Sequence, residues 1–344
     1  MVGIIKNIKN QMNLTLLNKI LSGQPKYRQT QARRAVFVDL IDNWDLATVL
    51  PKDLRARLND SCPLAINGQS QASKEKNTDK VLITLEDGLK IETVLMKHTA
   101  DRRTVCVSSQ VGCPMNCAFC ATGRMGFQRN LTAEEIIEQV LFFARNLKNQ
   151  PQPEKITNIV FMGMGEPFLN YVNVLDAIKI LHDPDGFNLG ARHFSISTCG
   201  VIDGINRLAS EKLQINLAIS LHASNDELRD RLMPINHTAP LRKLFTAVDN
   251  YIARTSRRVM FEYMLIDGIN DGPDSARKLA ELMAKPLYLV NLITYNPTSR
   301  FKPSKREAVE KFMNILQGNG VAVTRRYGFG QDIKAACGQL AGKK

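Results

Sequence analysis

The sequence contains no run of about 18 consecutive apolar residues, so it predicts no membrane-spanning helix. Its N-terminus shows no small-residue cleavage site, and Lys6, Lys9 and Lys19 interrupt the apolar positions there. Both features argue against a secretory signal peptide. We therefore expect a cytoplasmic protein with no membrane partner.

Acidic residues are absent from the first 38 positions. The chain as a whole carries 46 Lys and Arg against 33 Asp and Glu, for a net charge of +13. Clustered charge of one sign favours a polyanion as partner, through counterion release and steering. Nucleic acid is favoured over an anionic membrane, because no strongly amphipathic anchor pattern accompanies the charge. The basic residues of this stretch are Lys6, Lys9, Lys19, Lys26, Arg28, Arg33 and Arg34.

Seven cysteines without a secretion signal are not expected to form a structural disulfide framework. Cys113, Cys117 and Cys120 are separated by three and then two residues. Three thiolates on one tight loop can bind three irons of a [4Fe–4S] cluster, and the fourth iron is then open to a substrate. Zinc is the alternative, since Cys106 could complete a tetrahedral site. Structural zinc often uses two separated pairs, however, and no second Cys-x-x-Cys occurs.

Strand-like and helical patterns alternate from residue 104 onward, in six strand–helix units. Such alternation predicts an α/β fold with a parallel sheet, which right-handed crossovers curl into an incomplete (β/α)6 barrel. The strand candidates are Thr104–Ser108, Asn158–Met162, His193–Thr198, Asn216–Leu221, Val259–Leu265 and Tyr288–Thr294. The helix candidates are Ala133–Leu147, Val172–Leu181, Val201–Ala209, Leu241–Ala253, Ser275–Met283 and Lys305–Leu316.

Four regions are expected along the chain. Residues 1–68 form a helical accessory domain, with helical patterns at Asn13–Leu21, Thr30–Ile41 and Pro51–Leu58. Residues 69–103 comprise a polar connection, Ser70–Lys80, and a β-hairpin that turns at Asp87-Gly88. Residues 104–326 form the barrel, and residues 327–344 form a tail that carries Cys337.

The chemistry of a parallel barrel gathers at the C-terminal ends of its strands. The turn Gly163–Pro167 follows the second predicted strand, and its glycines would let the backbone approach a ligand closely. Glu166 in that turn would suit an ammonium group. An amino-acid-bearing ligand such as S-adenosylmethionine, chelating the open iron, fits this combination. His222 follows the fourth predicted strand beside Ser220, whereas Cys62 and Cys199 are expected to pack as inert residues.

Longer motifs resemble a known family. The chain is similar to the RlmN/Cfr family of radical-SAM RNA adenine methyltransferases over essentially its whole length. The matching stretches are Ser108-Ser109-Gln110-Val111-Gly112-Cys113, Arg129-Asn130-Leu131-Thr132, Gly163-Met164-Gly165-Glu166-Pro167, Ile219-Ser220-Leu221-His222-Ala223 and Asp332-Ile333-Lys334-Ala335-Ala336-Cys337-Gly338-Gln339-Leu340.

The resemblance implies which residues bind the two cofactors. Cys113, Cys117 and Cys120 would ligate the [4Fe–4S] cluster. S-adenosylmethionine would lie against Gly165, Glu166, Ser197, Ser220, Leu221, His222 and Asn296.

The resemblance also implies a ping-pong radical methylation. One S-adenosylmethionine would methylate Cys337, and a second would give the 5′-deoxyadenosyl radical that abstracts hydrogen from the S-methyl group. The carbon radical would add to adenine, with Glu92 as proton acceptor. Cys106 would then attack the sulfur of Cys337, releasing methylated RNA and leaving a disulfide to be reduced.

The implied substrates are adenine C2 in 23S rRNA (adenine 2503 in the family) and in tRNA (adenine 37). The run Glu166–Asn170 resembles the C2 enzymes more than the C8 enzymes of the Cfr type, which remain the alternative. A zinc-stabilised RNA-binding protein without catalysis is a second alternative. The remaining expected partner is an electron donor such as a flavodoxin or ferredoxin, and we expect a monomer.

Overall fold

The computed structural model describes residues 12–99, 101–298, 301–326 and 328–342. Its helices are α1 (Leu14–Ser22), α2 (Lys26–Phe37), α3 (Lys52–Ser61), α4 (Ala133–Lys148), α5 (Tyr171–His182), α6 (Ile202–Leu208), α7 (Asp226–Leu232), α8 (Leu241–Thr255), α9 (Pro273–Leu282) and α10 (Arg306–Gly318). Its strands are β1 (Gly68–Ala72), β2 (Thr78–Thr84), β3 (Lys90–Lys97), β4 (Arg103–Cys106), β5 (Gln110–Gly112), β6 (Phe127–Asn130), β7 (Asn158–Phe161), β8 (Phe194–Thr198), β9 (Asn216–Ser220), β10 (Val259–Leu265), β11 (Tyr288–Thr294) and β12 (Val323–Arg326).

One sheet of ten strands organises the molecule, in the order β1-β2-β3-β4-β7-β8-β9-β10-β11-β12. Strands β1 to β4 pair antiparallel, and every pair from β4 to β12 is parallel. The six predicted strand–helix units are present, so the predicted α/β partial barrel is confirmed. Strand β12 extends it beyond the prediction, because a short edge strand with exposed Thr324 and Arg325 carries little apolar periodicity.

The sheet curls far enough for distant strands to meet. Arg326 at the end of β12 places Nη1 3.4 Å from Sδ of Met162, which directly follows β7. Four strands separate β7 from β12 in the sheet order. The space enclosed by this curl is therefore bounded by both the early and the late strands.

The predicted connection Ser70–Lys80 is wrong. Strand β1 pairs antiparallel with β2 from Gly68↔Ile83 to Ala72↔Asp79, and β2 begins at Thr78. The side chains of Gln69–Ala72 are exposed, so backbone hydrogen bonds hold this edge strand and its sequence shows no apolar alternation. The short helix α7 was also not predicted.

The N-terminal helices correspond to the three predicted segments. The second begins at Lys26 instead of Thr30, because Pro25 occupies its N-cap position with a φ of −51° that suits a helix start. This helical module packs on α4, where Nη1 of Arg145 donates to the carbonyl of Leu64 at 2.7 Å. Lys6 and Lys9 lie outside the described residues.

Helix α4 begins at Ala133, as predicted, with Thr132 as its N-cap. The Thr132 hydroxyl accepts from the Glu135 amide, and the Glu135 carboxylate accepts from the Thr132 amide, which completes a capping box. Within the described part of the chain, no helix combines the length and apolar character needed to cross a membrane.

Candidate active site

A cavity lies at the C-terminal ends of the parallel strands, as the partial barrel predicts. Glu92 and Leu221 are absent from its lining. All the other predicted site residues line it: Cys106, Cys113, Cys117, Cys120, Gly165, Glu166, Ser197, Ser220, His222, Asn296 and Cys337.

The loop that carries the three closely spaced cysteines is fixed at both ends. It connects the antiparallel pair β5 and β6, and the Cys113 amide donates to the carbonyl of Gly126 at 3.0 Å. Gly112 has a φ of +74°, and a Cβ there would lie 1.8 Å from that same carbonyl oxygen. Only glycine permits this close approach, so the loop begins at a point set by backbone contact.

Burial of these thiols disfavours their charged form. It raises the pKa of the Cys113 thiol to about 12, and it also raises the pKa of Cys120. Metal ligation requires thiolates, so a cationic centre must compensate this cost when the thiols are bound. The donor set of three soft sulfur atoms on one cavity wall fits an iron–sulfur cluster.

A single metal ion fits less well. Among the described residues, no group of three or more His, Cys, Asp or Glu side chains is arranged to hold one metal ion. The zinc alternative requires four ligands converging on one point. A four-iron cluster instead takes each thiolate on a different iron, so it does not require that convergence.

The glycine turn after β7 approaches the first loop closely. Gly165 has a φ of +102°, and a Cβ there would lie 2.6 Å from Cβ of Gln110. The buried Glu166 carboxylate accepts from the amides of Phe168 at 3.1 Å and Cys199 at 2.8 Å. Burial raises the pKa of Glu166. The carboxylate therefore joins the ends of β7 and β8 at the cavity wall.

Hydroxyl and imidazole groups line the wall formed by β8 and β9. The hydroxyl oxygens of Ser197 and Ser220 lie 3.3 Å apart. His222 accepts the Met264 amide at Nδ1 (3.0 Å), and burial lowers its pKa to about 3, so its imidazole is neutral. Its ring meets Phe119 of the cysteine loop edge-on, with centroids 4.9 Å apart.

Cys337 enters the cavity on the C-terminal segment, as expected for a tail folding over the barrel mouth. Nδ2 of Asn296 donates to the Cys337 carbonyl at 3.3 Å. The Ala121 amide donates to the carbonyl of Gly338 at 2.8 Å. The segment is thus held between the end of β11 and the cysteine loop.

Cys106, the last residue of β4, lines the same cavity. Burial raises the pKa of its thiol to about 12, and the neighbouring Cys337 adds to this increase. Both sulfurs are free thiols in this structure. The curled sheet therefore brings together two cysteines from opposite ends of the barrel sequence.

Two charged residues of the cavity were not predicted. Arg326 ends β12, and its pKa is raised chiefly by Cys337, then by Glu262 and Cys106. The Glu262 carboxylate on β10 accepts from Nδ2 of Asn291 at 2.9 Å, and burial raises its pKa. The β-branched residues of the Val321-Ala322-Val323-Thr324 run, which follows a Gly-Asn-Gly turn, are the signal that could have revealed β12 and Arg326.

Cys199 packs, as expected, against the apolar cluster that contains Cys117 and Phe119. Its sulfur lies 3.9 Å from that of Cys117, and it lines the cavity. Cys62, by contrast, is fully buried in the N-terminal module as predicted.

The side chains of Leu221 and Glu92 do not line the cavity. Leu221 is buried in the main hydrophobic core, and its amide donates to the carbonyl of Glu262 at 3.0 Å. Glu92 is 2 % exposed and forms an ion pair with Lys80, Oε1 to Nζ, at 2.9 Å.

Comparison with known proteins agrees with this geometry. Residues 107–282 match the model of the Radical SAM superfamily. A curated relative from Chloroflexus aurantiacus, named probable dual-specificity RNA methyltransferase RlmN, is 45% identical over 96% of this chain and 92% of its own length. A relative of the same name from Streptococcus agalactiae is 42% identical over 92% of this chain and 88% of its own length.

A solved structure extends the likeness to three dimensions. The crystal structure of a radical SAM methyltransferase from Sphaerobacter thermophilus matches with a TM-score of 0.92 at 44% identity, covering 97% of this chain and 99% of that one. The cysteine loop, the partial barrel and these near-complete alignments agree, and the chain belongs to the radical SAM superfamily and, within it, to the RlmN methyltransferase family.

Proposed function

We propose that this protein methylates C2 of adenine in 23S rRNA and tRNA through a methyl group carried on Cys337. The observation that supports this proposal most directly is the meeting of Cys106 and Cys337 in the cavity that also contains the cysteine loop. A radical enzyme acting on a small molecule needs the loop, but it needs neither a carrier thiol nor a second thiol beside it.

As a radical SAM enzyme, the protein uses a [4Fe–4S] cluster and S-adenosylmethionine. Cys113, Cys117 and Cys120 would hold the cluster. S-adenosylmethionine would be bound by Gly165, Glu166, Ser197, Ser220, His222 and Asn296, with main-chain atoms at Leu221. When bound, these groups supply the methyl group and a radical able to abstract hydrogen.

Cys337 accepts the methyl group on sulfur and, after loss of one hydrogen atom, forms a carbon–carbon bond to adenine. A covalent carrier of this kind divides a difficult substitution at an electron-poor carbon into easier steps. Glu92 would accept the proton from the adenine carbon once the C-terminal segment has left its carboxylate, and the adduct would give up its unpaired electron to the bound redox cofactor, so that the ring regains its aromaticity. The cavity lies inside the curl of the sheet, so the target base must leave its stack to enter it.

Cys106 releases the product. Its thiolate attacks the sulfur of Cys337, a sulfur–sulfur bond forms, and the carbon–sulfur bond breaks. The electron pair of that bond leaves with the methylene carbon, which takes up a proton and becomes the methyl group of the product. The resulting disulfide requires an external thiol reductant.

The exposed basic side chains of the N-terminal module would contact RNA phosphates without reading sequence. They are Lys19, Lys26, Arg33 and Arg34. A flavodoxin or ferredoxin would supply electrons, and the protein would act in the cytoplasm as a monomer.

The product identifies the reaction. Incubating the anaerobically reconstituted protein with S-adenosylmethionine, a reductant and 23S rRNA fragments or tRNA should give 2-methyladenosine in the digested RNA, measured by mass spectrometry. Detection of 8-methyladenosine would assign the protein to the C8 reaction. Methylation of neither RNA, with S-adenosylmethionine still cleaved, would indicate a different substrate.

Iron content tests the cofactor assignment. We expect anaerobically purified protein to contain about four irons per chain and no stoichiometric zinc. Cys120→Ala should lose most of this iron, because a cluster with two protein thiolates is poorly retained. Cys62→Ala is the matched control, since that thiol is buried far from the loop in sequence and should leave the iron content unchanged. Stoichiometric zinc without iron would contradict the assignment.

Arg326 should accelerate the release step. Its guanidinium favours the thiolate of Cys106 against the effect of burial, and a change of one pKa unit alters the thiolate fraction about tenfold. We expect Arg326→Met to slow product release roughly tenfold and to move its pH dependence to higher pH. Arg325→Met is the control, because its side chain is exposed. An unchanged pH profile in Arg326→Met would exclude this role.

A further inference from the structure

Two backbone amides of the C-terminal segment converge on one carboxylate oxygen. The N–H groups of Ala341 and Gly342 donate to Oε2 of Glu92 at 2.6 and 3.0 Å. The other oxygen, Oε1, lies 2.9 Å from Nζ of Lys80 on the neighbouring strand β2. With its side chain 2 % exposed, Glu92 is shielded from solvent and has both acceptor sites of Oε2 occupied.

The segment approaches the hairpin closely at this point. Gly342 has a φ of +59°, and a Cβ there would lie 2.9 Å from the carbonyl oxygen of Lys90. A residue with a side chain would push the segment away from β3. The C-terminal segment therefore packs directly against β3 beside Glu92, and Gly342 lies where the two backbones are closest.

Two further contacts lie along the segment between Cys337 and the Glu92 contact. The Ala121 amide donates to the carbonyl of Gly338 at 2.8 Å, and the Thr122 hydroxyl donates to the carbonyl of Leu340 at 2.6 Å. Within the described residues, the hydrogen bonds made by the segment beyond Leu340 both end on Glu92. The end of the segment consequently depends on this single carboxylate.

We propose that Glu92 is a positioning residue that fastens the C-terminal segment, and thereby holds Cys337 in the cavity, by accepting the amides of Ala341 and Gly342. Its importance for methylation rests on the proposed role of Cys337 as methyl carrier. Lys80 contributes by neutralising the buried carboxylate, because an unpaired buried charge would be costly. Hydrogen bonds to a charged acceptor are stronger than those between neutral groups, which suits a fastening role.

The arrangement has a consequence for the reaction. Oε2 is occupied by the segment, and the side chain is closed to the cavity, so Glu92 cannot accept a proton from substrate in this state. The segment must first leave the carboxylate. The movement that displaces the C-terminal segment with Cys337 therefore also frees the Glu92 carboxylate to accept a proton.

Hydrogen–deuterium exchange of the segment tests the fastening directly. Two double variants differ only in the acceptor: Lys80→Met with Glu92→Gln keeps a carbonyl oxygen, and Lys80→Met with Glu92→Ala removes it. Neither leaves a buried lysine unpaired. In reconstituted protein we expect the amides of residues 333–342 to exchange about tenfold faster in the alanine variant than in the glutamine variant. Equal exchange in the two variants would overturn the proposal.

Two further variants separate local from general effects. Ala341→Pro removes one donor without altering the hairpin and should also accelerate exchange in the segment, so it provides the test if the alanine variant fails to fold. Unchanged exchange in Ala341→Pro would count against the proposal. Asp79→Asn is the control. Asp79 precedes Lys80 in β2 and forms an ion pair with Lys97 of β3 at 3.0 Å, so its loss alters the same hairpin but should leave the exchange of the segment unchanged.

The exchange result is independent of catalysis. If wild-type protein fails to methylate RNA, the proposed function is wrong, but the fastening can still be measured. If the glutamine variant retains a protected segment and loses methyl transfer, Glu92 both fastens the segment and acts as base. If that variant retains methyl transfer, the base assignment is wrong and the fastening remains.

Discussion

Replacing Cys337 with alanine is expected to abolish methyl transfer to RNA while leaving the iron content of the protein unchanged. Cys337 lines the cavity but belongs to the C-terminal segment and not to the cysteine loop. Without its sulfur the methyl group has no carrier, and adenine C2 is too electron-poor for direct polar methylation. Mass spectrometry of digested RNA should detect no 2-methyladenosine, a loss of at least about a thousandfold relative to wild type, as for other covalent nucleophiles.

Two comparisons make this result specific. Cys62→Ala also removes a buried thiol and should retain full activity. Reductive cleavage of S-adenosylmethionine should still be measurable in Cys337→Ala, because the cysteine loop is intact. Normal methyl transfer by this variant would refute the carrier role and would favour a radical SAM enzyme of a different kind.

Replacing Cys106 with alanine should convert the enzyme from a catalyst into a trap for RNA. Carbon–carbon bond formation does not need Cys106, but breaking the carbon–sulfur bond does. The Cys106 thiol lies at the end of β4 in the same cavity as Cys337. In the proposed scheme the cysteines of the loop bind the cluster, which leaves Cys106 to attack Cys337. We expect a covalent protein–RNA adduct as the main product, visible as a slow band on denaturing gels.

The adduct should be linked at Cys337, which peptide mass spectrometry after nuclease digestion can establish. Cys199→Ala is a useful comparison, because Cys199 also lines the cavity and lies 3.9 Å from Cys117. It should not accumulate an adduct through Cys337. Free methylated RNA as the product of Cys106→Ala would show that another group resolves the intermediate.

Much of the site could be predicted from local patterns. The cysteine spacing, the glycine turn at 163–167 and the residues ending β8 and β9 are all close in sequence to the strands that position them. A parallel barrel places every strand end at one mouth, so locating the strands was enough to bring these residues together.

The remaining site features depend on long-range contacts. Arg326 escaped prediction because β12 is short and half exposed, and its position matters only after the sheet has curled. Glu92 resembled a family position, yet its contacts with Ala341 and Gly342 join residues from opposite parts of the chain. No periodicity within one segment encodes such a contact. Strand β1 was missed for a related reason. Backbone hydrogen bonds hold this edge strand, so its exposed polar side chains need not alternate with apolar ones.

The curl of the sheet also bears on how the protein is made. A ribosome delivers Cys106 and the cysteine loop long before β12 and the segment with Cys337, and domains fold as the chain emerges from the N-terminus. During synthesis the cavity lacks its last wall and the carrier thiol. The early thiols are therefore exposed to oxidants and to free metal until the final residues arrive. We infer that rapid closure of the C-terminal end protects the nascent enzyme, and that slowing translation near the end of the message would lower the yield of active protein.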